Sequence, residues 1–470
     1  MRLKNHLYTH SVVLSAFVAI FAAIPQAYAL PGDSSPSWNV PTENCFFGPT
    51  IGIDPEWNYV YPDSNAAYQC SSFDFPEGAE LIIEGEFPHA RHTSWTIYGG
   101  DGLGTPNGQG SHQIIDTDIL PDAGSVNPFI KGTNRQTKKR SYTMRVVNQL
   151  LPQDPDEREP NTLYSSGPRP GPFGNFLCQR IYVPDQRKEP FGDTTLPEVT
   201  LLLPDGSRLK DEAMCEAVDA LNQGFAAPPQ ALGFDLLEYI GLRQAGLGPG
   251  STPPTHPALN PPEFRAFFTA DHQRCVFFTP LADCGNPVYN PDGVGLGNPS
   301  NRYIESYIDK GFGEVLVLRA KKPTTPKTWR GNPFVPDLDY DLVYYSICPQ
   351  ESLATWRVGD CIFDEELPTD AAGFYTLVLS RPSDRPANAN KKCGVAWAST
   401  PPAGDGAGDL WLSNIWIRFM LPSPNFDEAA QNVENPGEEE AVMGPDLPQG
   451  EYMSKEDFEA RGCPLGFSAR

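Results

Sequence analysis

In this 470-residue sequence the side chains best placed by type and spacing to do chemistry lie in Pro88-His89-Ala90-Arg91-His92. Neutral imidazoles ligate divalent transition metals, and His112 or Asp116 could complete a set with His89 and His92. A divalent cation is the one cofactor the sequence suggests. Strand geometry counts against chelation, because residues i and i+3 of a regular strand face opposite sides. The four side chains therefore need a loop to converge; otherwise the histidines are loop or core residues. A hydrolytic triad could be assembled from Ser94 or Ser111 with a His and an Asp, but no G-x-S-x-G elbow accompanies them. Asp116-Thr117-Asp118, Asp292-Gly293 and the loop Gly404 to Asp409 are rich in oxygen ligands for Ca²⁺, without the twelve-residue EF-hand pattern.

A second set of candidates is aromatic. Trp95, Tyr98 and Tyr142, with Arg180, could line a groove for a sugar or apolar ligand; the same rings equally suit a sandwich core. Lys131, Arg135, Lys138, Lys139 and Arg140 form one basic stretch, which reads as a solvated loop.

The elements that must position these residues are short strands. Ala79 to Glu84, His92 to Tyr98, Ser141 to Val147, Asn161 to Ser166, Phe176 to Val183 and Val199 to Leu203 are rich in β-formers and bounded by turn residues. Cys45 to Cys70 reads as loops. Asp211 to Asn222 has helical spacing, Phe234 to Leu242 and Glu263 to Thr269 suggest further helices, and Ser454-Lys455-Glu456-Asp457 resembles a capping box before Phe458. Asp427 to Asp446 reads as an acidic tail.

Several segments recur downstream in the same order. Glu80 to Ile83 is echoed at Glu314 to Val317, Trp95 to Tyr98 at Tyr345 to Cys348, and Tyr142 to Arg145 at Tyr375 to Val378. Thr162 to Ser166 recurs at Val395 to Ser399, and Gln179 to Pro184 at Ile417 to Pro422, which places Arg180 and Arg418 at equivalent positions. An arginine at a repeated position suggests a structural partner for a carboxylate. The expected fold is mainly β: two tandem antiparallel β-sandwich or jelly-roll-like domains with a few short helices. The expected division is a signal peptide at 1–29, an N-terminal β domain at 30–243, a Gly/Pro-rich connection at 244–262 and a C-terminal β domain with its acidic tail at 263–470.

With the repeat in hand, Ser94 to Tyr98, Asn161 to Tyr164 and Arg180 to Pro184 resemble secreted bacterial proteins carrying a jelly-roll-like domain of unknown function, here in two copies. The second half matches at Tyr345 to Cys348, Val395 to Trp397 and Arg418 to Pro422. It departs at Cys348, where that pattern has Tyr, and at Ala396 to Ser399, which lacks its Pro. The resemblance implies the fold and no particular activity.

The leader has basic residues Arg2 and Lys4, an apolar run from Val12 to Ile24 and Ala27-Tyr28-Ala29 before a cleavage point at Leu30. Its removal takes the net charge from −24 to −26, a surface that repels nucleic acid and anionic lipid. Ten cysteines remain: Cys45, Cys70, Cys178, Cys215, Cys275, Cys284, Cys348, Cys361, Cys393 and Cys463. In an exported chain an even count reads as disulfides. Pairing neighbours gives Cys45–Cys70, Cys178–Cys215, Cys275–Cys284, Cys348–Cys361 and Cys393–Cys463. The expectation is an exported, soluble, non-catalytic protein, secreted or periplasmic, that binds a small molecule or a surface partner. No transmembrane segment is expected after cleavage. The rival expectations are a jelly-roll metal enzyme using His89 and His92, and a structural envelope protein.

Overall fold

Runs that alternate a large apolar side chain with a small or polar one form strands when both faces find cover. The computed structural model describes residues 44–52, 58, 60–98, 111–165, 175–185, 191–220, 236–245, 257–269, 272–273, 275, 283–285, 287, 289, 297–329 and 340–463. The leader at 1–29, residues 246–256 of the Gly/Pro-rich connection and Asp292-Gly293 lie outside these residues.

The first half contributes β1 (Ala66–Phe73), β2 (Glu80–Glu86), β3 (Ala90–Tyr98), β4 (Ser111–Ile115), β5 (Ser141–Val147), β6 (Thr162–Tyr164), β7 (Asn175–Pro184), β8 (Glu198–Leu202) and β9 (Arg208–Leu209), then helices α1 (Asp211–Ala217) and α2 (Leu236–Ala245). The second contributes β10 (Arg265–Ala266), β11 (Asn301–Asp309), β12 (Val315–Lys321), β13 (Leu342–Gln350), β14 (Ile362–Phe363), β15 (Phe374–Ser380), β16 (Ala396–Ser399) and β17 (Leu412–Pro422). It ends with helix α3 (Glu439–Met443), strand β18 (Gln449–Met453) and helix α4 (Lys455–Glu459).

Four sheets result, in the orders β1-β7-β3-β4, β6-β5-β2-β8-β9, β10-β11-β17-β13-β14 and β16-β15-β12-β18. The second pair of sheets repeats the strand order of the first, with β10 and β9 as additions. Within each half the two sheets share a core. Leu81, Ile83, Trp95, Ile97, Met144 and Leu177 fill the first, and Ile304, Leu318, Ile347, Tyr375, Leu377 and Ile417 the second. The sandwiches are not wholly antiparallel, since β6 joins β5 and β16 joins β15 in parallel. In both halves a connection of more than a dozen residues carries the chain back to the start of the strand, as a parallel pairing requires.

Register sharpens the echoes seen in the sequence. Gly85 lies opposite Tyr142 and Ala320 opposite Tyr375, so Leu81 corresponds to Leu316 rather than to Val315. Ser94 lies opposite Arg180 and Ser346 opposite Arg418, so Trp95 corresponds in register to Ile347. The left-handed residues Val183 (φ 47°) and Leu421 (φ 48°) keep the same offset as the two arginines.

Every residue of β1, β3, β7 and β11 is buried, as is every residue of β13 except Val343. One face of each serves its own sandwich. The other closes a seam between sandwiches, where Tyr68, Tyr98, Phe176 and Tyr182 pack against Tyr344, Phe363 and Met420. A strand covered on both faces loses the clean inside–outside alternation. The start of β1, within the stretch Cys45 to Cys70 expected to be loops, is such a strand.

Other expectations shift for similar reasons. Glu263 to Thr269 holds strand β10 rather than a helix, because Phe264, Ala266 and Phe268 recur with period two and point into the core. The acidic tail is structural: Phe426, Ala429, Ala430, Val433, Met443 and Leu447 pack under the second sandwich. Helix α4 forms as its capping box suggests, with Ser454 Oγ accepting from Asp457 N at 3.0 Å and Phe458 buried.

All ten cysteines are paired. Cys275–Cys284, Cys348–Cys361 and Cys393–Cys463 form as expected. The other two pairings are corrected to Cys45–Cys215 and Cys70–Cys178. Antiparallel pairing of β1 with β7 puts Cys70 directly opposite Cys178, which neighbour-in-sequence reasoning cannot see. Among the described residues no helix is long and apolar enough to cross a membrane.

Asp446 closes a 3-10 turn beneath the second sandwich, buried, with neither carboxylate oxygen bonded to a described residue. Burial pushes its pKa up to about 7, Lys321 opposes this, and Glu428 and Asp341 add to it. The folded state therefore holds this proton more tightly than the unfolded chain does. The protonated carboxyl favours folding fully below pH ~4, and that contribution is lost as the pH rises through about 7. Asp446→Asn should raise the melting temperature at pH 8 by at least ~2 °C and leave it unchanged at pH 4; equal effects at both pH values would contradict this account.

Candidate functional site

The polar chemistry of the described residues is concentrated in the seam. Strand β3 enters it with Arg91, whose Nη1 donates to Asp364 Oδ2 at 2.6 Å and whose Nη2 donates to Glu365 Oε1 at 2.6 Å. Its Nε donates to Thr328 Oγ1 at 3.2 Å. Arg91 belongs to the first sandwich and all three acceptors to the second. The side chains of Arg91 and Asp364 are fully buried and that of Glu365 nearly so. Burial works against the Arg91 charge, but Asp364 and Glu365 hold its pKa above the ordinary value. Burial likewise pushes the Glu365 carboxyl up, against the pull of Arg91.

A second cluster crosses the seam in the other direction. Asp63, in the turn before β1, accepts from Ser346 Oγ at 2.6 Å and Tyr344 OH at 2.9 Å, and lies 3.5 Å from Arg418 Nη1. Arg418 also donates to Tyr61 O and to Cys348 Sγ, each at 2.7 Å. Asn298 occupies the corresponding turn before β11. Both turns donate their own backbone N–H to a tyrosine on the strand that follows, Asp63 to Tyr68 and Asn298 to Tyr303. Asn298 takes neutral partners across the seam, Gln113 Nε2 at 2.7 Å and Tyr182 OH at 3.2 Å.

The residues picked out by sequence fall on both sides of this division. Trp95 and Tyr142 are buried in the first core, joined by a 3.0 Å bond from Trp95 Nε1 to Tyr142 OH. Tyr98 and Arg180 face the seam. Arg180 donates to Thr96 Oγ1 at 2.9 Å and to Tyr98 OH, with its guanidinium over the rings of Tyr68 and Tyr98. Burial pushes the Tyr98 pKa up to about 12, against the pull of Arg180. The four do not line an open groove together. Of the two repeated arginines, Arg418 has a carboxylate beside it, and Arg180 is held by hydroxyls and rings.

The four candidate metal ligands are split. His92 Nδ1 and Asp116 Oδ2 meet at 2.6 Å, and Thr93 N also donates to that oxygen at 2.9 Å. His112 turns to the backbone, accepting from Tyr164 N at 3.2 Å, and burial with Arg158 nearby lowers its pKa to about 4. His89 is buried and its backbone is held at both ends, N to Gly192 O and O to Asp185 N, each at 2.7 Å. Gly192 (φ 64°) is required there, because a Cβ would stand 2.8 Å from the His89 backbone. Among the described residues the one group of three such side chains within reach of a single ion is Asp63 with Cys348 and Cys361, whose sulfurs are bonded to each other.

Two further candidates are absorbed by the fold. The basic stretch divides: Lys131, Lys138 and Lys139 are exposed, whereas Arg135 is buried against Asp185 at 2.7 Å and Arg140 is buried beside Glu86 at 3.1 Å. In the loop Gly404 to Asp409 the Asp405 carboxylate accepts from Ala407 N, Asp409 N, Tyr239 OH and Arg243. Its oxygens are thus taken by the chain's own donors.

Beside the Arg91 cluster the structure opens. The loop leaving β12 and the segment from Glu365 to Thr369 enclose a cleft of about 300 Å³, whose lining includes Lys322, Lys327 and Lys391. Sequence reasoning did not pick out Arg91's partners or these lysines. The available signal was Lys322-Pro323-Thr324-Thr325-Pro326-Lys327, a basic, proline-stiffened segment in an otherwise acidic chain.

No family model matches the chain, and no curated protein matches it. Among solved structures, an uncharacterised protein from Burkholderia cenocepacia is similar over 84% of this chain and 81% of its own, at 14% identity and a TM-score of 0.41. A protein from Vibrio parahaemolyticus is similar over 87% of this chain and 91% of its own, at 11% identity and a TM-score of 0.35. Neither likeness is close enough to carry over an activity.

Removing Arg91 would leave two carboxylates in the seam without their cation. Arg91→Met should destabilise the protein by about 3 kcal/mol in denaturant unfolding. The triple variant Arg91→Met/Asp364→Asn/Glu365→Gln should recover most of that loss. A triple variant as unstable as the single one would show that shape, rather than charge, is what Arg91 supplies.

Proposed function

We propose that this is an exported, non-catalytic binding protein, with two fastened β-sandwiches as its scaffold and the cleft beside Arg91 as its ligand site. The observation that carries this reading is the division of labour among ionisable groups. Arg91, Asp364, Asp63, Arg418, His92 and Asp116 are buried and bonded to one another, which suits fastening. The described cleft is open to solvent and lined by lysines. Five disulfides fit an oxidising compartment and support secretion or a periplasmic location. The repeated strand order, the paired Asx turns at Asp63 and Asn298, and the matching arginines support descent of the halves from one duplicated sandwich.

Metal analysis separates this reading from a metal enzyme built on the histidine corner. Untagged protein should carry no stoichiometric transition metal, and His92→Ala should lower the melting temperature without changing metal content. A stoichiometric metal that disappears in His92→Ala would overturn the proposal.

A further inference from the structure

The cleft's charges are sorted by commitment. Glu365 Oε1 is taken by Arg91 and by Trp329 N at 2.8 Å. Glu366 turns back to its own segment, accepting from Phe363 N at 3.5 Å. Lys322 donates to Asp364 O at 2.9 Å. Lys327 and Lys391 are exposed, and none of the described carboxylates pairs with either. The acids of the cleft are thus tied into the fold, and its uncommitted charge is positive, in a chain whose formal charge is −24.

The backbones carrying these lysines are fixed. Lys327 precedes Thr328, whose hydroxyl accepts from Arg91, and Trp329, whose N–H donates to Glu365. Lys391 opens a 3-10 turn capped by Asn390, and that turn ends at Cys393, bonded to Cys463. Thr325 and Thr369 add hydroxyl groups to the wall. Ammonium groups on fixed backbone, with hydroxyl groups in the same lining, suit an oxyanion, because little backbone ordering remains to be done on binding.

We infer that the cleft binds a compact organic or inorganic oxyanion carrying at least two negative charges, of the phosphorylated or polycarboxylate class, held by Lys322, Lys327 and Lys391. The assignment rests on the binding-protein reading and names the chemistry of its ligand.

Calorimetric titration with pyrophosphate and with citrate at low salt tests it, with sucrose as the uncharged control. At least one anion should bind with a dissociation constant below about 1 mM, and sucrose should not. Preference for pyrophosphate would assign a phosphorylated ligand, and preference for citrate a carboxylated one. Lys327→Gln/Lys391→Gln should weaken binding at least about tenfold with an unchanged melting temperature, since both side chains are exposed. Failure of both anions to bind at that level, or equal binding by the double variant, would overturn the inference. The metal analysis does not depend on these lysines, so the parent reading and this assignment fail separately.

Discussion

The constraint on which the rest of the structure depends is that two sheets are covered on both faces. Burying the outer face of β3 and β7 against that of β13 and β17 removes a large area from water. It also makes any polar group on those faces costly unless it finds a partner inside the protein. Arg91 with Asp364 and Glu365, and Arg418 with Asp63, are the charged answers to that demand. Tyr68, Tyr98, Tyr182 and Tyr344 supply the neutral ones. Buried ion pairs are weak sources of net stability, yet removing one partner is costly. Such a seam therefore selects one way for the halves to meet more than it tightens their grip.

This explains why residues that look chemical in sequence behave as fasteners in space. His92 and Asp116 meet at the end of β3 and are bonded to each other and to Thr93. Arg180, which invites a reading as a ligand anchor, is enclosed by Thr96, Tyr98 and Tyr68. The exposed lysines of the cleft lie instead at Lys391, in the turn before β16, and at Lys327, on a short segment between β12 and β13. That segment is tied down by the same arginine that closes the seam.

The cores were legible in the sequence because their strands alternate. Ser141 to Val147 could be read to the residue, and the echoes between halves fall on strands that occupy the same places in their sheets. Register was less legible. Leu81 and Val315 are both apolar, and only the pairing of Gly85 with Tyr142 and Ala320 with Tyr375 shows the one-residue slip. The seam was hardly legible. Asp63 and Asp364 are 301 residues apart in sequence, and no local pattern announces that each will be buried beside an arginine of the other half. The same holds for Cys70 and Cys178, which meet only because β1 pairs with β7.

At their first position the two quasi-equivalent turns differ in charge: a carboxylate at Asp63, an amide at Asn298. Two copies of a symmetric sandwich could pair with themselves as readily as with each other. Here one side of the joint carries the acid and the opposite side carries the arginine that faces it. A copy of the second sandwich docked on another second sandwich would set Arg418 against an amide. This asymmetry gives the joint a polarity, so a second sandwich meets a matched partner in a first sandwich and a mismatched one in another second sandwich.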